Sequence, residues 1–456
     1  MSTITDLRPV HDLQTEVLVV GGGAAGVAAA VTAARQGLRV MLVERYGFCG
    51  GGAVAGMSGT VCGLYCASDG DAQPEQVVHG FAAEFVRLLE QRNGLTAPVR
   101  YGKTFTRVHD PLVWREAADH VLCQAGVQVF LHTMVTEVLM DGNERIAGVV
   151  AYCKEGKLRI HADLTIDASG DADIVAMAGL PFTMGQDGNV QNPTMIFRMQ
   201  GIDVRKFLRE YGADSIMNEA ISALIRSLHG SGKYFLPRAK VFLFPTPRAG
   251  ELLCNATRII GRDGRELNPM IEEDLVEAEI LGREQAREYA RFFRDHLVGC
   301  EHGCLNDTGV QVGIRETRQA TGVYTLTNDD VINARKFKTG IACSPWPIEL
   351  HSGEKPRLVW LIDDFYEIPF ECFVPVKGES LLIAGRCLSA QHEAMASARV
   401  TAQCFSYGQA VGHAAAIAVR ERIAARTVSG ADLRQILQRD GARFGAGART
   451  VAPAAS

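Results

Sequence analysis

The stretch VLVVGGGAAGVAAAVTAARQGLRVMLVERYGFCGGG, residues 17–52, decides the fold. Val17 to Val20 form an unbroken apolar run, as a parallel strand buried on both faces requires. Gly21, Gly23 and Gly26 then spell GxGxxG, and the alanine-rich run from Ala24 to Arg35 predicts a helix. Leu38 to Val43 reads as a second buried strand, ending at Glu44. In that order each glycine has its own task. The first makes the tight turn, the second lets backbone N–H groups reach a pyrophosphate, and the third lets helix and strand pack closely. The helix start, at Ala24 and Ala25, adds positive dipole toward phosphate. Glu44 lies eighteen residues beyond Gly26, where a carboxylate accepts hydrogen bonds from ribose hydroxyls. This context predicts a dinucleotide site and does not by itself choose between NAD and FAD.

With 456 residues, 47% hydrophobic, 22% charged and a net charge of -5, the chain reads as globular with more than one domain. No basic field points to nucleic acid. The start MSTITDLRPVHDLQTE lacks a basic segment followed by an apolar run, so the reading is cytoplasmic rather than secreted. The longest apolar helical candidate, AVGHAAAIAV, is interrupted by His413 and too short for a membrane span, and none is expected. The twelve cysteines show no CxxC pair, zinc spacing or cluster-type run, which predicts reduced thiols.

Residues 126–152, GVQVFLHTMVTEVLMDGNERIAGVVAY, read as three strands with a turn at Asp141-Gly142-Asn143. Residues 164–179, LTIDASGDADIVAMAG, end a buried strand in Ala168-Ser169-Gly170. Residues 380–419 read as a strand, a turn at Gly385 and a long helix. Gly408, Gly412 and Ala416 fall four apart on that helix and permit close approach, and Ser397 is its expected N-cap. Asn268-Pro269 predicts another helix start, with Leu275, Ala278, Leu281, Tyr289, Phe293 and Leu297 near helical spacing. The tail GAGARTVAPAAS, 445–456, is expected to be flexible.

ERYGFCGG (44–51), AGRCLS (384–389) and GQAVGHAAA (408–416) resemble the start and end motifs of a family of FAD-dependent oxidoreductases of the glutathione-reductase structural class. ATRIIGRDG (256–264), AEILGRE (278–284), GIRETRQATGVYTLTNDDV (313–331), WPIELH (346–351) and YEIPFECFVP (366–375) resemble its internal motifs, in order. The resemblance covers roughly residues 15–425. It implies an α/β chain with FAD as cofactor and a Rossmann-like FAD-binding domain built from discontinuous segments. Those segments are 14–185, with a helical insertion near 72–104, and 378–425. An α+β substrate domain, 186–377, is inserted between them, and 426–456 forms a C-terminal helix and tail. The resemblance implies FAD contacts from Gly21, Gly23, Ala24, Ala25, Gly26, Glu44, Arg45, Cys49, Gly50, Gly51, Val135, Ala168, Ser169, Gly170, Gly385 and Arg386. It also implies that the helix beginning near Ser397 aims its N-terminus at the flavin ring.

A bound flavin exchanges a hydride at N5, so the expected function is redox. The reading favours a dehydrogenase oxidising a carbon of a small organic substrate. A reductase of a small unsaturated substrate is the alternative. So is a flavin-bearing electron-transfer subunit, because the family also resembles the flavin portion of heterodisulfide-reductase-type complexes. A single GxGxxG argues against a second dinucleotide domain and direct NAD(P)H reduction. The electron acceptor stays open between oxygen, a quinone and a protein carrier, and a homo-oligomer is compatible with the sequence.

On the substrate side, Arg258, Arg315 and Arg318 are candidates to clamp an anion, or else to hold internal ion pairs, Glu316 being an obvious partner. His351 and His392 are the candidate proton-transfer groups, since histidine titrates nearest neutrality; Tyr324 and Tyr366 are weaker ones. Cys300, His302 and Cys304 fall short of a four-ligand zinc set, and no metal is expected. Cys62 and Cys66 are either small hydrophobes or a redox pair beside the flavin. Cys49, between Glu44 and the glycines, is expected close to the ring system. It is a filler, a reactive thiol, or a covalent link to the flavin 8α-methyl.

Overall fold

The computed structural model describes residues 11–70, 73–142, 144–186, 188–214, 218–350 and 357–445. The expected flexible tail beyond Gly445 and the candidate His351 lie outside the described residues.

Val17, Leu18 and Val19 are wholly buried because strand His11–Val20 has parallel neighbours on both sides. The central sheet runs Gln128–Phe130, Val40–Val43, His11–Val20, Gly156–Asp167, then the antiparallel pair Arg145–Cys153 and Met134–Asp141. On the side away from His11–Val20, strand Gly156–Asp167 serves two partners. Its first residues pair with Arg145–Cys153, while Thr165–Asp167 pair in parallel with Leu381–Ile383. Residue 381 thereby returns to the sheet begun at residue 11, and the ends of the parallel strands converge on one edge.

Helix Ala24–Arg35 packs against helix Thr401–Glu421, and two glycines set the distance. A Cβ at Gly408 would stand 2.0 Å from the Ala25 carbonyl oxygen, and one at Gly412 would stand 2.7 Å from that of Ala29. The expected single helix is in fact two, His392–Ala398 and Thr401–Glu421, broken at Arg399-Val400. Ser397 is therefore not a cap. It lies inside the first helix, where its hydroxyl donates to the Trp346 carbonyl at 2.6 Å.

The segment near 72–104 is only partly helical. After helix Phe81–Gln91 it forms a small hairpin, Val99–Tyr101 with Thr104–Thr106. Asp110 then caps helix Pro111–Gln124 by accepting from the Leu112 N–H at 2.8 Å, with proline at the first helical position.

A second, antiparallel sheet runs Phe242–Pro245, Glu251–Asn255, Phe197–Gln200, Cys304–Thr308. Its alternation separates two surfaces. Phe197, Met199, Leu243, Leu252 and Cys254 join a core with helix Glu272–His296, whereas Ile196, Phe242, Phe244 and Leu253 pack with Tyr101 and Trp346. The long helix starts at Glu272, later than expected. Asn268 uses its side-chain oxygen on the Met270 N–H (3.0 Å), and three acidic residues in the first helical turn complement the dipole instead. Among the described residues no helix is long and apolar enough to cross a membrane.

Candidate active site

The turn after Val20 and the loop after Val43 face each other across the sheet edge. Glu44 joins them: its Oε2 accepts from the Gly22 N–H at 2.6 Å and its Oε1 from the Tyr46 N–H at 2.9 Å. Burial pushes this carboxyl above its ordinary value, and the two N–H donors oppose the shift. Bare backbone keeps the space open. A Cβ at Gly51 would come within 2.8 Å of Gly23 Cα, and one at Gly21 within 2.4 Å of the Ala168 oxygen. The loop after Asp167 is fixed from inside. Asp167 accepts from Ser169 N and Oγ with one oxygen, and from the Ile174 and Val175 N–H groups with the other. Its neighbour Asp171 accepts from Arg386 Nη2 and Thr317 Oγ1, both at 2.8 Å. Burial alone would raise the Asp171 carboxyl; Arg386, Thr317 and Arg45 outweigh it and hold it low.

These loops enclose a cavity of about 420 Å3. One end is a cradle lined by Gly21, Gly23, Ala24, Ala25, Glu44, Arg45, Gly50, Gly51, Val135, Ala168, Ser169, Gly170, Gly385 and Arg386. Gly26 and Cys49 do not line it. A Cβ at Gly26 would stand 1.8 Å from the Gly21 oxygen, so its role is packing at the turn. Cys49 is fully buried beneath Gly22, with burial and then the Glu44 charge pushing its thiol up. The expectation that Cys49 faces the ring is corrected accordingly: the bare glycines turn its side chain inward. The cradle's open backbone, the N-terminal N–H groups of Ala24–Arg35 without a side-chain cap, and the buried acid fit a dinucleotide.

The other end is a chamber that the sequence motifs did not mark. Tyr101 from the hairpin, Phe242, Phe244 and Asn255 from the second sheet, and Trp346 and Glu349 from residues 346–349 line it, with Thr60, Cys62, Arg315 and Arg399. Tyr101 donates to Glu349 Oε1 at 2.9 Å. Val400, Thr401 and Cys404 close it with the start of helix Thr401–Glu421, which has no side-chain cap.

Of the substrate-side arginine, histidine and tyrosine candidates with described placement, Arg315 lines this cavity and the others do not. Arg318 pairs with Asp173 and donates to the Asp171 carbonyl. Arg258 donates its backbone N–H to Gln285. Tyr324 donates to Asp330 at 2.8 Å, and Tyr366 bonds Ser397 at the same distance. His392 meets the fully buried Glu316 at 2.7 Å, an ion pair behind the wall. Its hydrogen bond to Glu316 outweighs burial and raises its pKa. Arg399 and Glu349 were missed, although both lie inside stretches singled out above: Arg399 within residues 380–419, two before helix Thr401–Glu421, and Glu349 inside WPIELH.

All cysteines with described placement are free. Cys62 touches Thr60 Oγ1 at 3.1 Å, while Cys66 donates to the Asp364 carbonyl, so the two belong to different packing clusters. Burial pushes both thiols up to about 11. Cys300 is buried and Cys304 exposed, and among the described residues no group of three metal-ligating side chains is assembled.

A parallel sheet edge with a glycine cradle, an acid after the second strand and a side-chain-lined chamber beyond define a dinucleotide-binding protein with room for a second ligand. The family model described as FAD dependent oxidoreductase matches residues 16–437, and the chain belongs to that family, with FAD as its cofactor. Thiamine thiazole synthase of Aeropyrum pernix is 32% identical over 174 residues, 36% of this chain and 57% of that protein. Thiamine thiazole synthase of Methanoculleus marisnigri is 23% identical over 181 residues, 37% of this chain and 61% of that protein. The chain thus spans about three fifths of the length of these curated relatives. Among solved structures, the flavin-dependent brominase Bmp2 aligns with a TM-score of 0.51 at 13% identity, over 92% of this chain and 83% of that one, a likeness of fold.

Proposed function

We propose that this enzyme is an FAD-dependent dehydrogenase of a small organic molecule. The observation that carries the reading is the single cavity running from the glycine cradle into a chamber holding the Tyr101–Glu349 pair. The pyrophosphate would be held at Gly21, Gly23, Ala24 and Ala25, and the ribose at Glu44. Arg45, Gly50, Gly51, Val135, Ala168, Ser169, Gly170, Gly385 and Arg386 would hold the remainder. The division into FAD-binding segments 14–185 and 378–425 of glutathione-reductase type, with 186–377 on the substrate side, is part of this proposal. It is supported by the separate core beneath the second sheet.

Bound FAD supplies the hydride-accepting chemistry. The chain's own residues do the rest. Glu349 takes the substrate proton, Tyr101 orients its carboxylate by donating to it, and the aromatic walls exclude water. The uncapped N–H groups at Thr401 put positive dipole where negative charge develops. A chamber lined by side chains favours a small substrate over a purely electron-carrying subunit.

Anaerobic titration of the yellow protein with amines, alcohols, acids, N-heterocycles and NAD(P)H, followed at the flavin absorption band, tests the reading. Bleaching by an organic donor supports it. Bleaching by NADH alone sinks it.

A further inference from the structure

Several buried or part-buried guanidiniums among the described residues are matched by a carboxylate. Arg198 pairs with Glu251 at 3.3 Å, Arg386 with Asp171 at 2.8 Å, and Arg434 with Glu367 at 2.7 Å. That pattern is what physics demands, since a buried charge without a partner is strongly disfavoured. Two arginines on the chamber wall break it. Among the described residues, the Arg315 guanidinium makes one hydrogen bond, to the neutral Asn192 carbonyl at 2.7 Å. Arg399 makes one, to the Gln191 side-chain oxygen at 3.4 Å, and its Nε is buried with no partner. A guanidinium carries five donors, so both are left with most of their hydrogen-bonding capacity.

The electrostatics point the same way. Arg238 lies behind the wall with its guanidinium over the Phe242 ring at 4.6 Å, and its field falls on Arg315 together with that of Arg399. Glu349 opposes all three guanidiniums, and Glu316, already engaged by His392, adds its charge at Arg399. Burial foremost, and then its cationic neighbours, lower Arg315 to about 9. An anion in the chamber would relieve that repulsion. Arg238 also donates to Asn255 Oδ1 at 2.8 Å, which leaves the Asn255 amide nitrogen as the donor offered to a ligand. The remaining walls, Phe242, Phe244 and Trp346, are apolar and aromatic, which suits an organic body rather than an inorganic ion.

We propose that the chamber holds a small organic carboxylate, its anionic end clamped by Arg315 and Arg399 and its apolar body against Phe242, Phe244 and Trp346. The proposal rests on the reading of the chamber as the substrate site and names the class of molecule that enters it. Paired guanidiniums suit a carboxylate because their N–H forks match its two oxygens.

The test is calorimetric titration of the oxidised, FAD-loaded protein with benzoate, benzamide and inorganic phosphate, with no turnover required. The expected result is saturable benzoate binding at least about tenfold tighter than benzamide or phosphate. Arg315→Gln and Arg399→Gln each weaken benzoate by about tenfold to a hundredfold, and Arg315→Lys and Arg399→Lys recover part of the loss. The flavin spectrum reports that each variant is folded and loaded. Equal binding of benzoate and benzamide, phosphate matching benzoate, or loaded Gln variants that bind benzoate like the wild type would overturn the proposal. If both Gln variants lose FAD, the wild-type comparison of benzoate with benzamide decides alone. Benzoate binding without any organic reductant sinks the dehydrogenase reading and leaves the clamp. Organic reduction without carboxylate preference does the opposite.

Discussion

Tyr101 and Glu349, 248 residues apart in the chain, meet across 2.9 Å on the chamber wall, with the phenol as donor. A carboxylate that accepts this hydrogen bond is held in one orientation, the geometry a proton acceptor needs. Burial and the Glu349 charge keep the phenol protonated, well above the ordinary tyrosine value.

Replacing Glu349 with Gln is expected to slow anaerobic flavin reduction by the best organic donor about a hundredfold to ten-thousandfold, with bound FAD unchanged in its spectrum. Tyr101→Phe slows it by only about tenfold, because orientation is lost and the base is kept. Stopped-flow absorbance reads both; a Glu349→Gln protein reduced at the wild-type rate excludes this carboxylate as the proton acceptor.

Gly408→Ala should loosen the junction between helices Ala24–Arg35 and Thr401–Glu421, since its Cβ would meet the Ala25 oxygen at 2.0 Å. A loss on the order of 3 kcal/mol is expected from such overpacking, with weakened FAD retention. Gly230→Ala is the control: nothing lies within 4 Å of its Cβ, and helix propensity makes it neutral or slightly stabilising. Thermal unfolding of both variants separates crowding from a general intolerance of alanine.

Asp173 is raised from 3.8 to about 6 by burial and then by Asp171 and Asp167. The folded state therefore holds this proton at pH values where the unfolded chain has released it. The contribution of Asp173 to stability falls as pH rises from about 4 to 6. Asp173→Asn should flatten that slope in urea denaturation series, and an unchanged slope would show that another group is responsible.

His392 works with the opposite group type and the same sign. Its pKa is raised by Glu316, so the pair's contribution is fully present below the ordinary histidine value of 6.5 and fades as pH climbs through the folded value. His392→Gln should remove that alkaline loss while flavin reduction by the organic donor changes less than about threefold. A large fall in reduction rate with the fold intact would return His392 to the chemistry.

Cys49 is buried with its sulfur under Gly22 and its thiol held protonated. Acid precipitation should give a colourless pellet and a yellow supernatant. A yellow pellet would mean a covalent flavin.

The order strand, GxGxxG, helix, strand and acid determined the central sheet and the cradle, because every requirement there is local. The glycines must be bare within a few residues of one another, and Glu44 need only follow its own strand. Even the close helix packing was legible in the spacing of Gly408 and Gly412. The chamber was not, because its members come from residues 101, 242, 315, 349 and 399, and no local pattern marks their convergence. Arg258, Arg315 and Arg318 look alike in sequence. Tertiary structure separates them, giving Arg318 a carboxylate in Asp173 and leaving Arg315 facing a cavity beside Arg399. Burial and charge pairing are properties of distance in space, and only the folded chain sets those distances.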